Sequence, residues 1–402
     1  LDIHDFNAIQ TNFRATFKNY KKIINIVTGS GEIGSDSAVA ASGRYYKATT
    51  PSGYSVNPDE KLFKTDNLEV INISLRCKST GKPIDKKEIW KNELEKYLAD
   101  DKVMVILHIV DSSKLGYRMD FVEDIKSLNR QYSKRLLTVI DACQSRADIS
   151  RIRQYLKYGC MVIITGSKFE EGPPFSGATI IPEMITDSLT KEDFVFFPDG
   201  LKNFITEYDV SGSIKDMLSE HLPSWMNCGL MMRWTCALIN WQNYRSIEQE
   251  YRNRMVREWI ANFLNLAKQY PDLEIFSGGE AQQGAVGDLN SIISLKIIYH
   301  DKPIQIDDAR TIYHLLFKDI TLHLPEVQGN EKCSVLKQRF LIGQPVNLGH
   351  FAVLRVALGA KLVCRIEKYG MENILKDDKA LLLKLSLILK HYDKIRKNYK
   401  RK

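Results

Sequence analysis

Leu136-Leu-Thr-Val-Ile-Asp141, a helical stretch over 147–157 and then Cys160-Met-Val-Ile-Ile-Thr-Gly-Ser-Lys168 decide the fold. Both apolar runs are continuous rather than alternating. A strand reads that way when both of its faces are covered, as in a parallel sheet flanked by helices. The same pattern starts upstream with Lys102-Val-Met-Val-Ile-Leu-His-Ile-Val110, which ends at Asp111 and is followed by a helix over 118–132. Strand, helix, strand, helix, strand in this rhythm predicts consecutive parallel βαβ units. Three strand ends then converge: His108–Asp111, Asp141–Gln144 and Thr165–Lys168. The carboxyl ends of the strands are where open α/β sheets hold ligands.

Working outward, Phe6, Ile9, Phe13, Phe17 and Tyr20 recur at helical spacing over 6–20. Ile23–Val27 and Glu69–Leu75 read as strands, with a short helix over 38–44 between them and a helix over 86–99 after them. Gly177-Ala-Thr-Ile-Ile181 adds a strand after the Lys168 turn. Residues 185–222 are mixed and loop-like, and one long helical stretch is expected from Ser224 to Gln269. The rest reads as strands near 291–299 and 351–358 and helices over 305–317 and 376–397. The expected fold class is α/β, with a mainly parallel large domain and a smaller C-terminal α+β domain. The expected boundaries are 1–222 for the large domain, 223–270 for a linking helix and 271–402 for the small domain. The chain starts at Leu1 rather than Met, which points to a fragment, a processed form or a trimmed chain, with the large domain incomplete at its N-terminus.

At 402 residues the chain can bury a large core. Its 44% apolar and 26% charged content is that of a globular protein. No apolar run reaches the roughly 18 residues of a membrane span, and no signal peptide is visible. The seven cysteines (Cys77, Cys143, Cys160, Cys228, Cys236, Cys333 and Cys364) form no Cys-x-x-Cys pair. That scatter argues for a reduced, cytoplasmic setting over a disulfide framework, and no metal site is expected. Much of the net charge of +8 lies in Lys390–Lys402, which reads as a solvated helix end rather than a nucleic-acid surface.

An amine and a carboxylate on neighbouring strand ends are what pyridoxal phosphate requires. The lysine forms a Schiff base, and the aspartate keeps the pyridine nitrogen protonated so that the ring draws electrons. Lys168 and Asp141 fit those two needs. Gln144 can donate to the ring oxygen, Thr165 and Ser167 can offer hydroxyls to the phosphate, and His108 and Asp111 stand at the third strand end. On its apolar strand His108 reads first as a packed core histidine and otherwise as a ring neighbour, and Cys143 reads as a small packing residue.

Val139-Ile-Asp-Ala-Cys-Gln144, Ile164-Thr-Gly-Ser-Lys168 and Gly172-Pro-Pro-Phe-Ser-Gly-Ala178 resemble the cofactor motifs of fold type I pyridoxal-phosphate enzymes, in the class V aminotransferase and cysteine desulfurase branch. The resemblance implies a Schiff base at Lys168, the ring nitrogen at Asp141 and the ring oxygen at Gln144. It places Glu32–Arg44 where the family covers the ring, with Ile33 or a neighbour at that position. It likens Gly343-Gln-Pro-Val346 and Ala352–Gly359 to the segment presenting a substrate-binding arginine, so that Arg355, with Gln344, is expected to hold a substrate carboxylate. It also implies a homodimer. The expected activity is that of an aminotransferase acting on an amino acid or related amine. A lyase or cysteine desulfurase remains open, with Cys333 as the candidate thiol. So does a non-catalytic relative, because no Ser/Gly/Thr phosphate loop precedes the helix at 6–20. Gly29-Ser-Gly-Glu-Ile-Gly34 also matches the dinucleotide pattern G-x-G-x-x-G, but lacks the long helix and the distal acidic residue which that reading needs.

Overall fold

The computed structural model describes residues 20–29, 31–34, 36–62, 67–77, 80–84, 86–118, 122–191, 199–210, 212–276, 291–324 and 331–399. The helix expected over 6–20 lies almost wholly outside them. The chain divides into two compact units. The first takes in the chain up to Leu75, with Ile84–Lys114 and Arg118–Trp241. The second takes in Arg76–Pro83, Leu115–Tyr117 and Gln242 onward.

In the first unit the elements run β1 (Lys22–Thr28), α1 (Ser37–Ala41), β2 (Leu68–Ile73), α2 (Lys86–Leu98), β3 (Val103–Val110), α3 (Val122–Gln131), β4 (Leu136–Asp141), α4 (Ile149–Lys157), β5 (Met161–Thr165) and β6 (Gly177–Ile180). They continue through short α5 (Glu183–Thr186), α6 (Gly212–Leu218) and α7 (Cys228–Ser246), of which the part up to Trp241 belongs to this unit. The six strands form one sheet in the order β2-β1-β3-β4-β5-β6. All neighbours pair in parallel except β5 and β6, which pair antiparallel. Every residue of β3 is buried, and so are the first five of β4. Those continuous apolar runs follow from the helices that cover both faces. Because the strands run in parallel, the segments after β1, β3, β4 and β5 all emerge at one edge. The register puts Val110 beside Asp141, and Asp141 beside Ile163.

The second unit holds α8 (Gln249–Ala267), β7 (Leu273–Phe276), β8 (Ile292–Tyr299), β9 (Lys302–Pro303), α9 (Ile306–Leu316), α10 (Glu331–Lys337), β10 (Gly343–Asn347), β11 (Ala352–Ala357), α11 (Ala360–Tyr369), α12 (Met371–Lys390) and α13 (Tyr392–Tyr399). Its sheet is antiparallel in the order β10-β11-β8-β7, with β9 on β8. Trp259 and Phe263 of α8, Ile312 and Leu315 of α9 and Leu382 and Ile388 of α12 share its core. Lys384, Asp378 and Arg252 are buried charged residues of this unit. Lys384 donates through Nζ to the carbonyl oxygens of Leu316, Lys318 and Gln338. Asp378 accepts from the Trp259 indole at 2.9 Å.

The single helix expected from Ser224 to Gln269 is two helices. Glu248 adopts extended backbone (φ −55°, ψ 137°) and starts α8 afresh. No glycine or proline marks the break. Among the described residues, no helix is long and apolar enough to cross a membrane.

Candidate active site

The turn after β5 that carries Lys168 is tied down from several sides. The Gly166 N–H donates to the Ser176 carbonyl at 2.8 Å, the Gly172 N–H to the Gly166 carbonyl at 2.9 Å, and the Glu171 N–H to the Lys168 carbonyl at 3.0 Å. Helix α7 closes over it. Asn240 Nδ2 donates to the Glu170 carbonyl at 2.8 Å, and Trp234 Nε1 to the Gly177 carbonyl at 3.1 Å. A Cβ on Gly166 would lie 2.3 Å from the Ala237 Cβ, so only glycine lets the helix come this close. None of these α7 residues was legible as part of the site, because helical spacing alone does not say which turn a helix covers.

Asp141 ends β4. Its Oδ1 accepts the Cys143 N–H at 3.0 Å, which fixes the carboxyl against its own turn. Burial raises this carboxyl above its ordinary range, opposed chiefly by that N–H. Gln144 follows. Its Oε1 accepts from Arg146 Nη1 at 3.2 Å, so its amide nitrogen is the group left to donate. Ser145, in left-handed backbone (φ 55°), clasps the neighbouring strand through its hydroxyl on the Thr165 carbonyl at 2.6 Å. The Thr165 and Ser167 hydroxyls lie 3.0 Å apart.

One cleft of about 290 Å³ lies at the carboxyl ends of the strands. Lys168, Asp141, Gln144, Thr165, Ser167 and His108 are all in its wall. Burial alone pushes His108 down to about 3, so its ring is neutral at physiological pH. The segment after β1 supplies another wall through Glu32, Ile33, Asp36 and Ser37. Gly29 turns the chain into that wall with φ +86°, and a Cβ there would meet Val110 Cγ2 at 2.8 Å. Glu32 is buried and accepts from the Ser113 hydroxyl at 2.5 Å. Lys114 also faces the cleft. The sequence pattern did not point to Lys114, which stands in a loop without periodicity, and it marked Glu32 only as the start of the Glu32–Arg44 segment.

One expectation needs correction. Asp111 is not in the cleft wall. It is 1% exposed and accepts from Arg151 Nε at 2.7 Å and from the Tyr155 hydroxyl at 2.8 Å, which makes it a buried ion pair anchoring α4. Arg355 and Gln344 belong to the second unit, where Arg355 Nε donates to the Gln344 carbonyl at 2.9 Å. The Cys333 side chain lies outside the described residues. Cys143, as a packing residue would, abuts the apolar core under the sheet while also touching the cleft. The G-x-G-x-x-G run opens only the five-residue α1, too short for a dinucleotide helix.

No family model and no curated protein matches the chain. Its fold is similar to several solved structures. One is a transaminase from the marine bacterium Virgibacillus, at 9% identity and a TM-score of 0.46, covering 96% of this chain and 74% of that one. Another is Oryza sativa TDC with PLP and tryptamine, at 9% identity and a TM-score of 0.47, covering 96% and 66%. A third is a NifS-like protein from Rickettsia africae ESF-5, at 13% identity and a TM-score of 0.44, covering 93% and 79%.

The residues present suit a small anionic pyridine. A carboxyl held by the Cys143 backbone and side chain can take a ring N–H; an amide donor, paired hydroxyls and an amine stand around it in the same wall. The cavity lies at the lower edge of the roughly 300–1,000 Å³ usual for small-molecule sites.

Proposed function

We propose that this chain is a pyridoxal-phosphate-dependent enzyme acting on an amino acid or related amine, with amino-group transfer as the leading reaction. The observation that carries the reading is that Lys168 and Asp141, from the ends of adjacent strands, line the same cleft. When bound, the cofactor supplies an aldehyde that takes up amines and a ring that withdraws electrons from the substrate's Cα.

The chain's own residues would then do the following. Lys168 would hold the cofactor and, once displaced by substrate, carry the proton to and from Cα. Asp141 would keep the ring nitrogen protonated, and that positive charge would offset the burial that raises its carboxyl. Gln144 would donate its amide to the ring oxygen, while Thr165 and Ser167 would present hydroxyls to the phosphate. His108, neutral, would wall the ring. Arg355 and Gln344 are proposed to meet the substrate carboxylate, a planar pairing for which guanidinium is suited. A homodimer in the cytoplasm completes the reading.

The test is spectroscopic. Purified protein mixed with pyridoxal phosphate is expected to develop a visible absorption band that Lys168→Ala abolishes while the far-ultraviolet circular dichroism stays unchanged. A folded protein that gives no band overturns the reading. A screen of amino donors against keto acids then separates transfer from elimination or desulfuration, and a band without turnover would indicate a non-catalytic relative.

A further inference from the structure

A second cavity of about 890 Å³ lies at the opposite edge of the same sheet, where β3 and β4 begin. It shares no wall residue with the cleft that holds Lys168. Its floor is apolar. Met104, Leu136, Leu137, Ile185 and Leu189 are all buried and all line it. Its rim is cationic, with Lys126, Arg130, Lys134 and Lys157 facing it, and no carboxylate lines it among the described residues.

The charge count points to a particular kind of occupant. Lys126 has a partner, Glu123, at 3.6 Å. Among the described residues no ion pair engages Arg130, Lys134 or Lys157. Arg130 and Lys157 stand in the last turns of α3 and α4. A helix C-terminus carries about half a negative charge, so the two ends offset roughly one of the three cations. About two positive charges therefore remain above an apolar floor. A phosphate monoester carries about −1.5 to −2 at neutral pH. A carboxylate would leave one cation unmet, and a neutral apolar body would leave both.

We infer that this cavity binds a small phosphate monoester with an apolar or aromatic body, the phosphate at the rim formed by Arg130, Lys134 and Lys157 and the body on the Met104–Leu137 floor. This assignment is independent of the function proposed for the other cleft.

The test uses the full chain and four probes: 1-naphthyl phosphate, 1-naphthoate, 1-naphthol and inorganic phosphate, followed by calorimetry. Naphthyl phosphate is expected to saturate one site and to bind at least about tenfold tighter than each of the other three. The Arg130→Gln/Lys157→Gln variant, altered at two exposed side chains, is expected to lose at least about tenfold in that affinity. Lys168→Ala is expected to leave it unchanged. The inference is overturned by an absence of saturation, by naphthoate or inorganic phosphate binding as tightly, by indifference to the double variant, or by loss of the site in Lys168→Ala.

Discussion

Gly166 and Ala237 stand so close that a Cβ on the glycine would lie 2.3 Å from that of the alanine. This contact seats α7 on the turn that presents Lys168. Gly166→Ala must therefore push the helix or the turn aside, at about 1–3 kcal/mol for a core insertion of this kind. Ala237→Gly in the same chain is expected to return most of that loss. The two effects should be strongly non-additive in urea unfolding, and cofactor uptake should follow the same order. Additive effects would mean that the contact does not govern the turn.

The ion pair between Asp111 and Arg151 is a second sensitive point, with side chains only 1% and 11% exposed. Arg151→Met would leave a buried carboxylate with the Tyr155 hydroxyl alone, and is expected to cost about 3–5 kcal/mol. The double variant Asp111→Leu/Arg151→Met should be less damaged than Arg151→Met, because no charge is left stranded. Chemical denaturation of the three proteins side by side decides this.

Asp141→Asn separates folding from function. The amide oxygen can still accept the Cys143 N–H, and a buried ionisable group is removed. Thermal stability without cofactor should hold or rise. Turnover with cofactor should fall by about 10²–10³-fold, the usual scale for losing one preorganised electrostatic partner. A variant that melts early and keeps its rate would contradict the assigned role.

Asp378 gives a pH signature in the second unit. Burial pushes its carboxyl up to about 6, against the Trp259 indole N–H that favours the charged form. The folded state therefore keeps this proton to higher pH than the unfolded chain, where the ordinary value is 3.8. Stability from this group is full below pH 4 and is lost as pH rises through about 6, by about 2–3 kcal/mol. Asp378→Asn should flatten that decline in melts taken from pH 4 to pH 8, and an unchanged slope would refute it.

How far the sequence spoke for the molecule varied with burial. β3, β4 and β5 were legible because strands covered on both faces are apolar at every position. β10, with Gln344, Pro345 and Asn347, is half exposed and carried no such pattern. Within the candidate site, Lys168 and Asp141 stood out because each interrupts an apolar run at a strand end. Asp111 gave the same signal and has a different task. What distinguishes it is a partner on α4, Arg151, forty positions later, and no local pattern encodes that. Ala237 and Asn240 were hidden for the same reason, since their targets lie in a turn far upstream.

The second unit is built from three separated pieces of chain, and this bears on how it could be produced alone. Leu115 is buried with Val346, Leu348 and Val353, and the Arg76 guanidinium lies over the rings of Tyr117 and Phe276. A recombinant fragment starting at Gln242 would lack Arg76, Leu115 and Tyr117, and would expose to water an apolar patch they now cover. Expressing this half as a soluble piece would call for a graft of the two missing loops, or for a chain re-spliced to bring them back in line.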